Sequence, residues 1–209
     1  PGKNDQNKFL GGGGISTARL VSLVTNAKKS VIIQTPYLVT TSLSRNLFKT
    51  LVSQGVEVKI LTNSLASNDN LEAFSGYQRD RKALLETGVL IYEFKPDAKI
   101  RKKIMSDVMH KQLKDVPIFG LHAKSMVIDD EITVIGTFNV DPRSANLNTE
   151  SITIIPSKKI ALSVKKGMLE EMKPENAWQT TLHWNPDGEV SYLKRLSVKL
   201  RRVVPKGIL

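Results

Sequence analysis

Three short apolar runs at 30–35, 56–62 and 89–94 are separated by stretches whose apolar residues recur at helical spacing. That alternation constrains the fold more than any other feature of the chain. Parallel strands joined through helices need right-handed crossovers, so the pattern predicts an α/β fold. Its sheet should be mixed but mostly parallel, flanked by helices on both faces. Local signals agree. Ser16 or Thr17 can cap a first helix carrying Leu20, Val24 and Ala27 on one stripe. The run at 30–35 ends at Pro36, which has no N–H to give a ladder. Ser42 opens a second helix with Leu43, Leu47 and Leu51 aligned, and Gly55 closes it. A charged helix follows Asp69 and stops at Gly88.

Beyond residue 95 the pattern changes. Residues 96–120 carry Arg101, Lys102, Lys103, His110 and Lys111 and read as a basic excursion or weak helix. Two apolar strands, 121–129 and 132–139, flank the acidic triplet Asp129-Asp130-Glu131. That turn is too short for a crossover helix and predicts an antiparallel hairpin. A strand beginning at Glu150 and a helix over 157–172 follow, and Asn185-Pro186-Asp187-Gly188 is a turn. No internal repeat is present.

With no cysteine, a disulfide framework, cysteine-ligated zinc, an iron–sulfur cluster and a thiol nucleophile are all excluded. The longest uncharged stretch, 30–44, has 15 residues and contains Pro36. It falls short of the ~20 apolar residues that span a bilayer. Thirty-one Lys and Arg against 20 Asp and Glu give a net charge of +11, which calls for an anionic partner: nucleic acid, phosphate ester or acidic lipid. The first residue is Pro1, so the chain is expected to be a piece of a longer protein.

The chemistry concentrates in His122-Ala-Lys124-Ser-Met-Val-Ile-Asp129 and, after six residues, Gly136-Thr137-Phe-Asn139. Side chains alternate along a strand, so His122 and Lys124 would share a face about 7 Å apart. Thr137 and Asn139 would share one on the returning strand. One patch would then hold an imidazole, an ammonium, a hydroxyl and a carboxamide, a set suited to a phosphoryl group. Glu150 could accept from one imidazole nitrogen and fix the tautomer of His122. Asp129-Asp130-Glu131 has no clustered histidine and reads as a solvated hairpin turn, not a metal site. His110 and His183 lack the His-x-Lys spacing and read as ordinary histidines. Gly11 to Gly14 lack a following Gly-Lys-Ser/Thr and read as a connector.

The pattern His-x-Lys-x4-Asp-x6-Gly-Thr-x-Asn resembles the signature of the phospholipase D superfamily. The run from Asn139 through Asp141, Arg143 and Asn148 to Glu150 is similar to its bacterial cardiolipin synthase branch, and in particular to the C-terminal half. So are Thr35-Pro36-Tyr37, the stretch 62–69, Gly76-Tyr77 and Arg81-Lys82. The resemblance implies phosphodiester chemistry through a phosphohistidine, with no cofactor and no metal. In it His122 is nucleophile or general acid, and Lys124 and Asn139 hold phosphate oxygens. Thr137 supports them, Glu150 orients His122, and Asp129 belongs to the motif as an ion-pair partner.

Active sites of that family contain two such motifs, and this chain has one. The second half is expected from the N-terminal part of the same protein or from a homodimer mate. The implied substrate is an anionic phospholipid at a bacterial cytoplasmic or inner-membrane surface, met peripherally. Two alternatives are a dimeric phosphodiesterase acting on nucleic acid and an inactive lipid-binding half-domain. Residues 1–175 are expected to form the catalytic half-domain and 176–209 a basic extension. The stretch 190–209 has six basic residues and no acidic one, and Leu193, Leu196, Leu200 and Val203 would share a helical face. That face could rest on an anionic membrane or on the domain itself.

Overall fold

The computed structural model describes residues 14–109, 120–205 and 207. Among them, seven strands form one sheet: β1 (Ser30–Gln34), β2 (Glu57–Asn63), β3 (Leu90–Phe94), β4 (Ser125–Ile128), β5 (Ile132–Gly136), β6 (Ile152–Pro156) and β7 (Ala177–Thr180). Their order is β6-β5-β4-β1-β2-β3-β7. The mixed α/β architecture is as expected, but the parallel share is smaller. Only β1–β2 and β2–β3 pair in parallel, and the other four pairings are antiparallel. The reason lies in the connections. The β4–β5 turn is the expected short acidic one, and the β5–β6 link joins Gly136 to Ile152 at one and the same edge, so both pairs run antiparallel.

Helices α1 (Ile15–Thr25), α2 (Ser42–Ser53), α3 (Leu71–Leu85) and α7 (Tyr192–Leu200) share one face of the sheet. Their Val24, Phe48, Leu51, Phe74, Leu84 and Val198 are buried with Val31, Ile33, Val58 and Ile60. The alternate residues Ile32, Leu61 and Val127 face the other way, onto Ala161 and Met168 of α6 (Lys158–Glu171). Period-2 alternation thus supplies two cores from one sheet. Thr41 and Ser44 close a reciprocal cap on α2, and Asn70 and Ser157 cap α3 and α6. Gly14, not Ser16 or Thr17, begins α1, without a side-chain cap. Residues 100–109 form the helix α4 (Ile100–Met109). His110 and Gly11 to Gly13 lie outside the described residues.

No apolar alternation announces β7, whose sequence is Ala-Trp-Gln-Thr. It is held by a buried polar cluster. Glu93 of β3 accepts from Thr180 and from Tyr77, each at 2.8 Å, and Arg81 stands 3.4 Å from it. Arg81 also pairs with Asp187 at 2.8 Å, in the turn Pro186–Glu189. A buried carboxylate needs such satisfied partners. The sheet therefore extends past residue 175.

Candidate active site

The carboxyl ends of β1, β2 and β3 lie along one edge of the sheet because the strands are parallel. The amino end of β4 meets that edge, where Ser125 pairs with Gln34. Gly136 of β5 pairs with Ile152 of β6 at the same place. Residues 122–124, 137–141 and 148–151 therefore converge there. At β1 the strand order reverses, with β2 on one side and β4 on the other, and open α/β sheets leave a crevice at such a point.

His122 is exposed, and its ring meets Tyr37 edge-on, with centroids 6.4 Å apart and planes at 81°. Tyr37 donates to Asp69 at 3.2 Å; burial and then the Asp69 charge raise its phenol pKa, so it remains a neutral donor. The segment holding His122 is not a strand. The expected strand from Leu121 starts at Ser125, because both backbone groups of Leu121 are taken by buried Asn63. The N–H of Leu121 donates to Asn63 Oδ1 at 2.7 Å, and Asn63 Nδ2 donates to the Leu121 carbonyl at 2.9 Å. Gly120 makes this approach possible: a Cβ there would lie 2.6 Å from the Ser67 carbonyl oxygen. Strand alternation therefore does not set the relation of His122 to Lys124. Instead Lys124 Nζ donates to the His122 carbonyl at 3.0 Å. Burial lowers the Lys124 pKa, opposed by the nearby carboxylates of Glu150, Asp141 and Asp69.

The returning strand also ends early, at Gly136. A Cβ on Gly136 would fall 2.1 Å from the Ser151 carbonyl oxygen. The Thr137 N–H donates to that carbonyl at 3.0 Å, and the Ser151 N–H to Thr137 Oγ1 at 3.0 Å. The Thr137 hydroxyl donates to Glu150. Glu150 was expected to hold His122; its hydrogen-bond partners are Thr137 and Asn148, the latter at 3.0 Å. Thr137 is correspondingly engaged with Glu150 and Ser151.

Asn139 is buried, and its carboxamide oxygen is without a hydrogen-bond partner. It lines a cavity of about 420 Å³ with Tyr37, Asn70, Asp141, Arg143 and Asn148. Tyr37 thus touches both His122 and the Asn139 cavity. Asp141 caps α5 (Pro142–Asn146) by accepting from the Ser144 N–H at 2.6 Å, and burial pushes its carboxyl up to about 6.

Asp129 does not join them. It lies at the far end of β4, beside the start of β1, roughly 13 Å along the sheet from the edge at Ser125. Its carboxylate accepts from the N–H groups of Lys28, Lys29 and Ser30 at 2.7–3.1 Å, which depress its pKa against burial. The expected ion-pair role gives way to one in which backbone amides are its partners. Asp130 pairs with Lys165 at 2.6 Å. Among the described residues no three His, Asp or Glu side chains cluster as metal ligands do. His183 is exposed beyond the carboxyl end of β7, at the edge opposite His122.

Asn63 and Tyr37 are the site residues that side-chain chemistry in the sequence did not single out. Both lie in segments that carry the family resemblance and at or just after the carboxyl ends of predicted parallel strands, and these are the signals that point to them.

Residues 20–172 match the family described as cardiolipin synthase, PLD-like domain. The chain is 33% identical over 209 residues to cardiolipin synthase C of Escherichia coli, covering 90% of this chain and 42% of that protein. It is 32% identical over 197 residues to an uncharacterized Helicobacter pylori protein, covering 87% and 37%. The chain thus spans about two-fifths of the length of these two curated relatives. Among solved structures, phosphatidylserine synthase of Haemophilus influenzae aligns with a TM-score of 0.61 at 18% identity, over 93% of this chain and 45% of that one. The phospholipase D family member Nuc of Salmonella typhimurium aligns at 0.57 and 14% identity, over 79% of this chain and 90% of that one. Among the described residues no helix is long and apolar enough to cross a membrane.

Proposed function

The chain belongs to the PLD-like domain family of the cardiolipin synthases, and from that premise we propose that it transfers phosphatidyl groups between alcohols at the phosphodiester of an anionic phospholipid. The supporting observation is the contact of the His122 ring with Tyr37, which also lines the cavity holding Asn139. A phosphodiester seated there meets an imidazole and the Lys124 ammonium from one segment and a buried carboxamide from its neighbour.

Two histidines share the work, and His122 is one of them. An imidazole nitrogen attacks phosphorus, the P–O bond to the leaving alcohol breaks, and the other imidazole supplies that alcohol with a proton. An acceptor alcohol or water then gives its proton back to the second imidazole, attacks phosphorus and breaks the P–N bond. Lys124 and Asn139 hold the non-bridging oxygens, where developing negative charge is stabilised by donors already in place. The Thr137–Glu150 pair keeps a carboxylate near Lys124 and so favours its charged form.

The partner histidine comes from a second motif, in a preceding half of the same protein or in a dimer mate. The span of about two-fifths of its relatives supports the first arrangement. The net charge of +11 favours, as a second reading, a nucleic-acid phosphodiester. The two are separated by offering the protein phosphatidylglycerol vesicles and single-stranded DNA side by side. The proposal expects headgroup exchange with glycerol and no DNA cleavage; salt-sensitive DNA cleavage without lipid turnover contradicts it.

A further inference from the structure

The C-terminal helix presents its apolar residues outward. Val198 is fully buried and anchors α7 to the core. At about 100° per residue, Tyr192, Leu196, Leu200 and Leu193 fall on an arc about 100° wide centred opposite Val198. They are 68%, 38%, 67% and 74% exposed, and Val203, one turn on, is 86% exposed. A surface helix ordinarily turns such residues inward.

The segment is also firmly held. Arg201 bonds Glu72 of α3 at 2.7 Å, Arg79 donates to the carbonyls of Arg202 and Val204 at 3.0 Å each, and Arg202 donates to Gln78 at 2.8 Å. The outward face is therefore a fixed feature of the fold. Its rim is basic: Arg195 and Lys199 flank the arc on one side, Arg202 follows it, and no acidic residue occurs in 190–209.

We propose that this face is the docking surface for an anionic lipid bilayer. A clustered apolar face on a soluble fold marks an interaction site, and a cationic rim selects an anionic interface over a neutral one. The placement fits the site. Val204 and Glu72, the latter bound by Arg201, line the cavity that holds Asn139 and Tyr37. Docking through α7 brings that cavity to the level of the lipid headgroups. Only this last point rests on the catalytic reading above; the docking itself stands on exposure and charge.

The test is co-sedimentation of the protein with vesicles of phosphatidylcholine alone and of phosphatidylcholine mixed with phosphatidylserine, at low and high salt. The intact protein is expected to bind the anionic vesicles and to release them as salt screens the charges. Leu193→Glu with Leu200→Glu should weaken binding at least about tenfold without changing the thermal midpoint, since both side chains are exposed. Arg195→Gln with Lys199→Gln should abolish the preference for anionic vesicles. His122→Ala should bind like the unchanged protein, which separates this inference from the catalytic one. Equal binding to both vesicle types, or unaltered binding by the leucine double variant, overturns the proposal. So does conversion of a dimer to a monomer by that variant with vesicle binding intact, because the face would then join protein to protein.

Discussion

Asn63 holds both backbone polar groups of Leu121, accepting at 2.7 Å and donating at 2.9 Å, and so fixes the residue next to His122 without a strand. Asn63→Ala leaves a buried N–H and a buried carbonyl without partners, each worth about 1–3 kcal/mol. The variant is expected to lose about 2–4 kcal/mol in urea unfolding and to lose turnover even where it remains folded. Full turnover at unchanged stability would show that Asn63 does not position the histidine.

Gly136 permits the close approach of β5 to Ser151. Gly136→Ala puts a methyl 2.1 Å from a backbone oxygen, so the strands must part. We expect a loss of about 3 kcal/mol or more, read by denaturant midpoint, and disruption of the Thr137–Glu150 contact that follows. A midpoint within experimental error of the unchanged protein contradicts this account of the glycine.

Asp129 tests whether motif membership means chemistry. Its φ of 54° suits Asn but strains Ala. Asp129→Asn is expected to cost about 1–2 kcal/mol and Asp129→Ala about 3 kcal/mol, through the three amides, with turnover kept wherever the variant is folded. The folded carboxyl has a depressed pKa. Its contribution is therefore present above the usual aspartate range and fades as pH falls through the folded value. Asp129→Asn should remove that acid-side loss. Loss of turnover at full stability would restore a catalytic role.

Much of this was legible in the sequence. Strands β1, β2 and β3, helices α2 and α6, and the hairpin between β4 and β5 follow from periodicity, caps and the length of one acidic turn. Three things were not. β7 has no apolar pattern, because Glu93 and Arg81 hold it through polar contacts from elsewhere in the chain. The strands at 121 and 139 were read too long, because hydrophobicity does not reveal that Asn63 and Ser151 replace a ladder partner. Chemical type alone suits Glu150 to the imidazole of His122, whereas the Thr137 hydroxyl at the end of the adjacent strand and the Asn148 amide take its oxygens. Spacing identifies which groups gather at an edge, and short-range hydrogen bonding decides who touches whom.

A pH test concerns the other face of the sheet. Burial pushes the Glu171 carboxyl up to about 7, partly offset by a 2.5 Å hydrogen bond from Gln34. Because the folded pKa is raised, the folded state binds the proton more tightly than the unfolded chain. The Glu171 contribution to stability is thus fully present in acid and is lost as pH rises from the usual glutamate range through about 7. Glu171→Gln should be about 2 kcal/mol more stable than the unchanged protein at alkaline pH and should show a flatter slope. Asp141, whose carboxyl is pushed up to about 6 by burial, contributes a slope of the same sign that the variant keeps. An unchanged slope in urea unfolding across this range would contradict the assignment.

Participation of His122 in phosphodiester transfer is open to a clean test, because its ring is exposed and removing it leaves the core untouched. The measurement is phosphatidylglycerol headgroup exchange by the intact protein and by His122→Ala, each checked for an unchanged thermal midpoint. Exchange is expected to fall by at least about a thousandfold, on the order of 4 kcal/mol in the barrier. Exchange by His122→Ala at the rate of the unchanged protein would contradict it.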